Sequence, residues 1–217
     1  MADSASEPPL CGLVLTGGRS TRMGRDKGLL KYHQQPHRRH LQRLLQPFCP
    51  GGVWLSGRAE QDPHNPDEPF LVDQWSGAGP ISGLLAAFSH EPNAAWLAVA
   101  CDFPFLSADT LGYLVEHRQP KVCVTCFLDQ AANGPEALLS IWEPSSHEML
   151  LKALARGQTS LRRILQDYAP SKIHLLRAPN PNELLNVNTP AEYEAARRAL
   201  RPGHVLTRNS GETPAGR

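Results

Sequence analysis

Long apolar runs are missing from this chain: the best, Ala94 to Cys101, is about half of the roughly 18 residues that a membrane-spanning helix needs. The first nine residues hold Asp3 and Glu7 and no basic stretch, so a secretion signal is not expected and a cytoplasmic protein is. Charge of one sign is also lacking, since 22 Lys and Arg face 21 Asp and Glu. That balance excludes a polyanion-coating protein and an acidic solvating tail, and leaves only local charge to matter. Cysteines number five, an odd count scattered through apolar contexts, which argues for buried reduced thiols over a disulfide framework. Twenty prolines and 17 glycines break the chain into many short elements, excluding a long-helix bundle or coiled coil. What remains, 217 residues with 41% hydrophobic side chains, suits one domain with a sizeable core.

Residues 1–9 read as a disordered lead-in and 201–217, rich in Pro and Gly, as a disordered tail, with the folded domain spanning 10–200. Within it, short apolar runs alternate with helical patterns. Strands are expected at Cys11 to Leu15, Gly52 to Leu55, Phe70 to Val72, Trp96 to Ala100, Val122 to Phe127 and Leu138 to Trp142. Helices are expected at about Arg38 to Gln46, Pro80 to Phe88 and Ala108 to His117. This rhythm predicts an α/β fold with a mostly parallel central sheet covered on both faces. Beyond Pro144 come helices at Ser145 to Ala155 and Ser160 to Tyr168 and a strand near Lys172 to Leu176. Thr189, Pro190 and Glu192 supply the capping box and first-turn proline of a last helix, ending near Leu200.

The segment after the first strand carries the chemistry. From Thr16 to Lys31 it holds Arg19, Arg22, Arg25, Lys27 and Lys31 against Asp26 alone, a net +4. Gly17 and Gly18 let backbone amides approach an anion or a base edge. A strand running into a cationic, glycine-rich loop is a phosphate cradle, and in an open α/β sheet it lies beyond the carboxyl end of its strand, where ligands bind. The alternative is a basic surface turn. The loop is neither a Walker motif nor a G-x-G-x-x-G fingerprint.

Read in full, L-x-G-G-x-S-x-R-M-G-x-D-K, from Leu15 to Lys27, resembles the signature loop of the molybdenum cofactor guanylyltransferases, within the nucleotidyltransferase superfamily. Three further segments are similar to motifs of that family in the expected order: Gly79-Pro-Ile-Ser-Gly83, Cys101-Asp-Phe-Pro104 and Asn186-Val-Asn-Thr-Pro190. The likeness spans about residues 11 to 200. It implies a three-layer, Rossmann-like nucleotidyltransferase fold. It also implies attack by the terminal phosphate of molybdopterin on the α-phosphorus of GTP, releasing pyrophosphate and forming molybdopterin guanine dinucleotide. Molybdoenzyme maturation proteins are implied as possible partners; nucleic acid and membrane are not.

Such a transfer needs charge neutralisation and in-line positioning more than covalent help. Lys27 and Arg22 are the expected triphosphate cations, and Leu15, Gly17 and Gly18 the nucleotide turn. Asp102, directly after an apolar strand, is placed to hold Mg²⁺ between phosphate oxygens; capping of the next turn is the structural alternative. Asp73, past the third strand, matches an acid near the nucleotide, on ribose or metal. Asn186 and Asn188 match positions at the pterin end or beside a metal-linked water, although asparagine also serves such turns conformationally. Glu136 stands before a strand in Glu136-Ala137-Leu138, where some relatives read E-P-L; its role is open.

One departure bears on base choice. Relatives commonly carry a base-contacting asparagine after the second strand, where this chain has Ser56-Gly57-Arg58. Guanine is favoured by the Gly17-Gly18 doublet; a cytidylyl or sugar-phosphate nucleotidyltransferase and a non-catalytic nucleotide-binding module are the alternatives. Cys123-Val-Thr-Cys126 reads as strand, its two sulfurs facing opposite sides, and not as a zinc or redox pair. His37 and His40 are expected on a solvated helix face beside Arg38 and Arg39. With Lys31 and Arg43 these cations suit an anion or a solvated face better than RNA, since the only interleaved aromatic is Tyr32.

Overall fold

The computed structural model describes residues 7–17, 23–129, 133–168 and 170–201; the expected lead-in up to residue 6 and the tail from residue 202 lie outside them. Seven strands form one sheet in the order β3-β2-β1-β4-β6-β5-β7. β1 (Leu10–Leu15) and β4 (Ala95–Ala100) lie side by side at its centre, every residue of both buried. Continuous apolar runs of this kind belong to parallel strands covered on both faces. β2 (Val53–Gly57) and β3 (Phe70–Val72) extend the parallel sheet on one side. On the other side β6 (Gly134–Trp142) runs antiparallel to both β4 and β5 (Val124–Asp129), and β7 (Ile173–Leu176) closes the edge parallel to β5.

The chain leaves β1 toward β2 and later steps back from β3 to β4. Right-handed crossovers in opposite directions place their helices on opposite faces. Thus α1 (His37–Leu45) packs over β1 and β2 together with α3 (Ala108–Glu116), while α2 (Pro80–His90) packs with α4 (His147–Ala155). The reversal opens a crevice at the carboxyl ends of β1 and β4. α5 (Leu161–Asp167) lies on β6, and α6 (Pro190–Ala199) begins with the expected capping box, Thr189 accepting from the Glu192 N–H and Glu192 from the Thr189 N–H. Among the described residues no helix is long and apolar enough to cross a membrane.

Two local readings change. The strand expected from Leu138 begins at Gly134, so Glu136 sits within β6, 3% exposed. Pro135 disguises this stretch, but a register shift between Cys126 and Phe127 lets the pairing with β5 continue past it. The histidine reading is overturned at His37, which is fully buried. α1 starts directly after Pro36, so His37, Leu41 and Leu45 form its inward stripe. His37 meets the Tyr32 ring edge-on at 4.9 Å, and His33 and His40 stack at 3.8 Å. Arg38 is likewise internal, paired with Glu68 at 3.1 Å. All five cysteines are buried free thiols.

Burial, with the neighbouring His40 and His33, holds the His37 imidazole down to about 3 from an ordinary 6.5. Between those values the unfolded chain binds a proton that the folded chain refuses. Stability from this group is therefore full above about pH 6.5 and declines as pH falls toward 3, at up to about 1.4 kcal/mol per pH unit. The urea midpoint should fall between pH 7 and 5, and fall less steeply in His37→Phe. A second expectation concerns Arg118, which makes a two-pronged ion pair at 2.7 and 2.9 Å with the buried Glu143 at the end of β6, and donates to Pro8 O at 3.0 Å. Arg118→Ala leaves that carboxylate unpaired and should cost about 3–5 kcal/mol in urea unfolding.

Candidate active site

The glycine-rich loop departs from β1 under tight control. The Thr16 N–H and hydroxyl and the Gly17 N–H all donate to Ser56 O of β2, at 2.8, 2.8 and 3.1 Å. A Cβ at Gly17 would stand 2.8 Å from Asp73 Oδ2, so a side chain there would have to displace that carboxylate. Asp73 is itself fixed, its N–H donating to Gly57 O at 2.7 Å and its Oδ1 accepting from the Ser56 hydroxyl at 2.8 Å. Burial raises its carboxyl above the usual range, opposed by the Ser56 hydrogen bond and the Arg58 charge. Asp73 also lines a cavity of about 660 Å³ with Arg58, Glu60, Trp75 and Gly79.

Of the remaining signature residues, Gly18, Ser20 and Arg22 lie outside the described residues. At the loop's far end Asp26 caps a 3₁₀ turn, Lys27–Leu29, by accepting from the Gly28 N–H at 2.8 Å. Lys27, the first residue of that turn, reaches across the crevice. Its ammonium donates to Asp102 Oδ1 at 2.9 Å and to Asn188 Oδ1 at 2.8 Å. Asp102 stands just beyond the carboxyl end of β4, and its backbone carbonyl accepts from the Val187 N–H at 2.9 Å. The last asparagine motif is thereby docked on the strand end. A small apolar cluster of Met23, Leu30, Tyr32, Val187 and Ala196 secures the contact from behind.

Asp102, Asn186 and Asn188 share a second cavity, about 450 Å³, with Glu136 and Arg162. Asn186 Oδ1 is buried there without a hydrogen-bond partner. Burial raises the Glu136 carboxyl; the Leu138 N–H, the Arg162 charge and the Asn186 amide oppose this, while Asp129 adds to it. Arg162 bonds Asp129 at 2.7 Å and approaches Glu136 at 3.5 Å. A wider cavity of about 860 Å³ opens beside Arg25, Lys31, Tyr32 and Tyr193, apart from the Lys27 contacts.

Lys27, Asp102 and Asn188 thus come together as one group, Gly17 and Asp73 as a neighbouring one. Asn188, expected at the pterin end, also holds the loop lysine. Sequence reasoning missed Arg162 and Gln61. The latter donates to Thr16 O and Asp26 Oδ2 at 3.1 and 2.8 Å, and with Thr16 it leaves no room at position 57, where a Cβ would meet Gln61 Oε1 at 2.9 Å and Thr16 Oγ1 at 2.7 Å. The adjacent polar turn Arg58-Ala-Glu-Gln61 carries no spacing signal that would have singled Gln61 out.

The sequence and the fold have counterparts in known proteins. A family model described as a MobA-like NTP transferase domain matches residues 12–173. A molybdenum cofactor guanylyltransferase of Xanthomonas euvesicatoria is 33% identical over 85% of this chain and 93% of its own. A molybdenum cofactor biosynthesis bifunctional protein of Synechocystis is 35% identical over 87% of this chain, which spans only 54% of that longer relative. Among solved structures, molybdopterin-guanine dinucleotide biosynthesis protein A of Archaeoglobus fulgidus superposes with a TM-score of 0.71 at 20% identity, over 87% of this chain and 97% of its own, a likeness of fold. With three-quarters of its length inside the family model, the chain belongs to the MobA-like NTP transferase family.

Proposed function

We propose that the protein transfers GMP from GTP to the terminal phosphate of molybdopterin, with Mg²⁺, releasing pyrophosphate. The observation that carries this reading is the Lys27 ammonium, shared by Asp102 and Asn188 where three separate motifs meet. In the reaction an oxygen of the acceptor phosphate forms a bond to the α-phosphorus of GTP as the α–β bridging bond breaks, the electron pair leaving with pyrophosphate. Lys27 neutralises charge that builds on the phosphates, and its two partners aim it beforehand, so no reorganisation is needed at the moment of reaction. The Gly17 turn and Asp73 hold the nucleoside in the cavity beside Arg58 and Trp75. The acceptor lies in the cavity walled by Asn186, Asn188 and Arg162.

The donor set fits a magnesium ion. Mg²⁺ is commonly held by one or two carboxylates plus substrate phosphate oxygens; Asp102 offers the carboxylate, and Asn186 Oδ1, buried without a partner in the same cavity, is a hard acceptor for a cation-bound water. When bound, the ion supplies neutralisation of phosphate charge. Base choice rests on the Gly17 turn and the cavity wall, because position 57 has no side chain.

Pyrophosphate release should be measured with Mg²⁺ and molybdopterin against GTP, CTP, ATP and UTP, with the pterin product identified by mass. GTP alone should support release. Lys27→Ala and Asp102→Asn should each lower kcat by roughly a hundredfold or more. Release with CTP alone would make the protein a cytidylyltransferase, and tight GTP binding without release would make it a binding module.

A further inference from the structure

Gln61 belongs to none of the motifs above, yet its side chain touches both ends of the glycine-rich loop. It ends the 3₁₀ turn Ala59–Gln61 that follows β2 and is 8% exposed. Both amide hydrogens are used: Nε2 donates to Thr16 O at 3.1 Å, at the loop entrance, and to Asp26 Oδ2 at 2.8 Å, at the exit. Oε1 accepts from the Arg58 N–H at 3.0 Å. The orientation is fixed by chemistry, since a flipped amide would set its oxygen against a carbonyl and a carboxylate.

We propose that Gln61 is a positioning residue, a clasp that closes the loop from Thr16 to Asp26 and so sets Lys27 for the nucleotide. The link to Lys27 is direct. The Asp26 carboxylate has two oxygens, one held by Gln61 and the other capping Gly28 in the turn that begins with Lys27. Removing the clasp frees Asp26, slackens the cap and lets the lysine leave Asp102 and Asn188. The clasp is also braced from α1, because Arg38 donates to Gln61 O at 3.2 Å while pairing with Glu68. Bringing the two loop ends together before ligand arrives removes an ordering cost that nucleotide binding would otherwise bear. The inference rests on the reading of this loop as the nucleotide cradle.

The charged side chain bonded to the Gln61 amide is Asp26, while Arg58 on the same turn offers its backbone N–H to Oε1 and Arg38 on α1 holds the Gln61 backbone carbonyl, which makes Gln61→Glu informative. When protonated, the introduced carboxyl has the shape of the amide and one O–H to donate to Asp26; when ionised, it repels Asp26. The test compares wild type, Gln61→Ala and Gln61→Glu in GTP affinity by calorimetry from pH 5 to 8, each normalised to wild type at the same pH. In parallel, tryptic cleavage after Arg19, Arg22 and Arg25 without nucleotide is mapped by mass, and Tm is recorded. Gln61→Ala should bind GTP about tenfold more weakly or worse at every pH and be cut faster within the loop. Gln61→Glu should approach wild type at pH 5 and lose GTP affinity as pH rises, a dependence that a merely structural turn residue would not produce. If Gln61→Ala proves unstable by Tm, that pH dependence decides alone. Wild-type affinity and cleavage in both variants would overturn the proposal. A wild-type protein that does not bind GTP would instead remove the nucleotide reading, and the cleavage comparison would still decide whether the loop is clasped.

Discussion

The ammonium of Lys27 is shared between a carboxylate 75 residues further on and an amide oxygen 161 residues further on, and the architecture of the crevice follows from keeping that contact. The two charged side chains are only 14% and 22% exposed. A partly buried ion pair of this kind recovers its desolvation cost only when its geometry is good and the remaining hydrogen-bonding capacity is used. Asn188 supplies a second acceptor and the Val187 N–H ties down the Asp102 backbone. The apolar cluster of Met23, Leu30, Tyr32, Val187 and Ala196 contributes the burial that holds three polar segments in register. Met23 and Val187, which look incidental inside polar motifs, are there for packing.

The sheet explains why these segments can meet. β1 and β4 are neighbours, paired from Leu10 with Ala95 to Leu15 with Ala100, so the residues after Leu15 and Ala100 leave the sheet at the same level. A loop from one and an acid from the other then face each other within the reach of one lysine side chain. The antiparallel β6 does a different job. By running back beside β4 it brings Glu136 and, through α5, Arg162 to the wall of the second cavity. A parallel strand in that place would have delivered its opposite end.

The central strands, the boundaries of α2, α3 and α6, and the pairing of loop with acid were legible because their signals are local: unbroken apolar runs, a proline at a first helical position, a Ser or Thr cap. Asp102 followed from standing directly after such a run. What escaped depends on contacts between distant segments. The start of β6 was hidden by Pro135, which a register shift accommodates. His37 could be placed on a helix face, but which face turned inward was decided by the helix starting at Pro36 and by the Tyr32 ring opposite. Gln61 sits in a polar turn whose sequence is that of any surface connection, and only the meeting of Thr16 and Asp26 over it gives its amide a task.

An anionic acceptor entering the second cavity would meet acids first, which calls for an electrostatic account. Asp102 already carries the Lys27 ammonium against one oxygen, and Asp129 carries the Arg162 guanidinium at 2.7 Å. Glu136, whose carboxyl burial pushes up, lies 3.5 Å from the same guanidinium. Each acid on the wall therefore stands beside a cation, and the field met by an incoming phosphate is less repulsive than a count of the acids alone implies. The positive excess of the chain lies in the sequence from Thr16 to Lys31, net +4 in a protein of net +1; of its cations Lys27 stands on Asp102 and Asn188, and Arg25 and Lys31 line the separate cavity beside Tyr32. In the proposed transfer, a compensated wall lowers the cost of a single phosphate's approach, and the cationic sequence from Thr16 to Lys31 favours the more highly charged ligand.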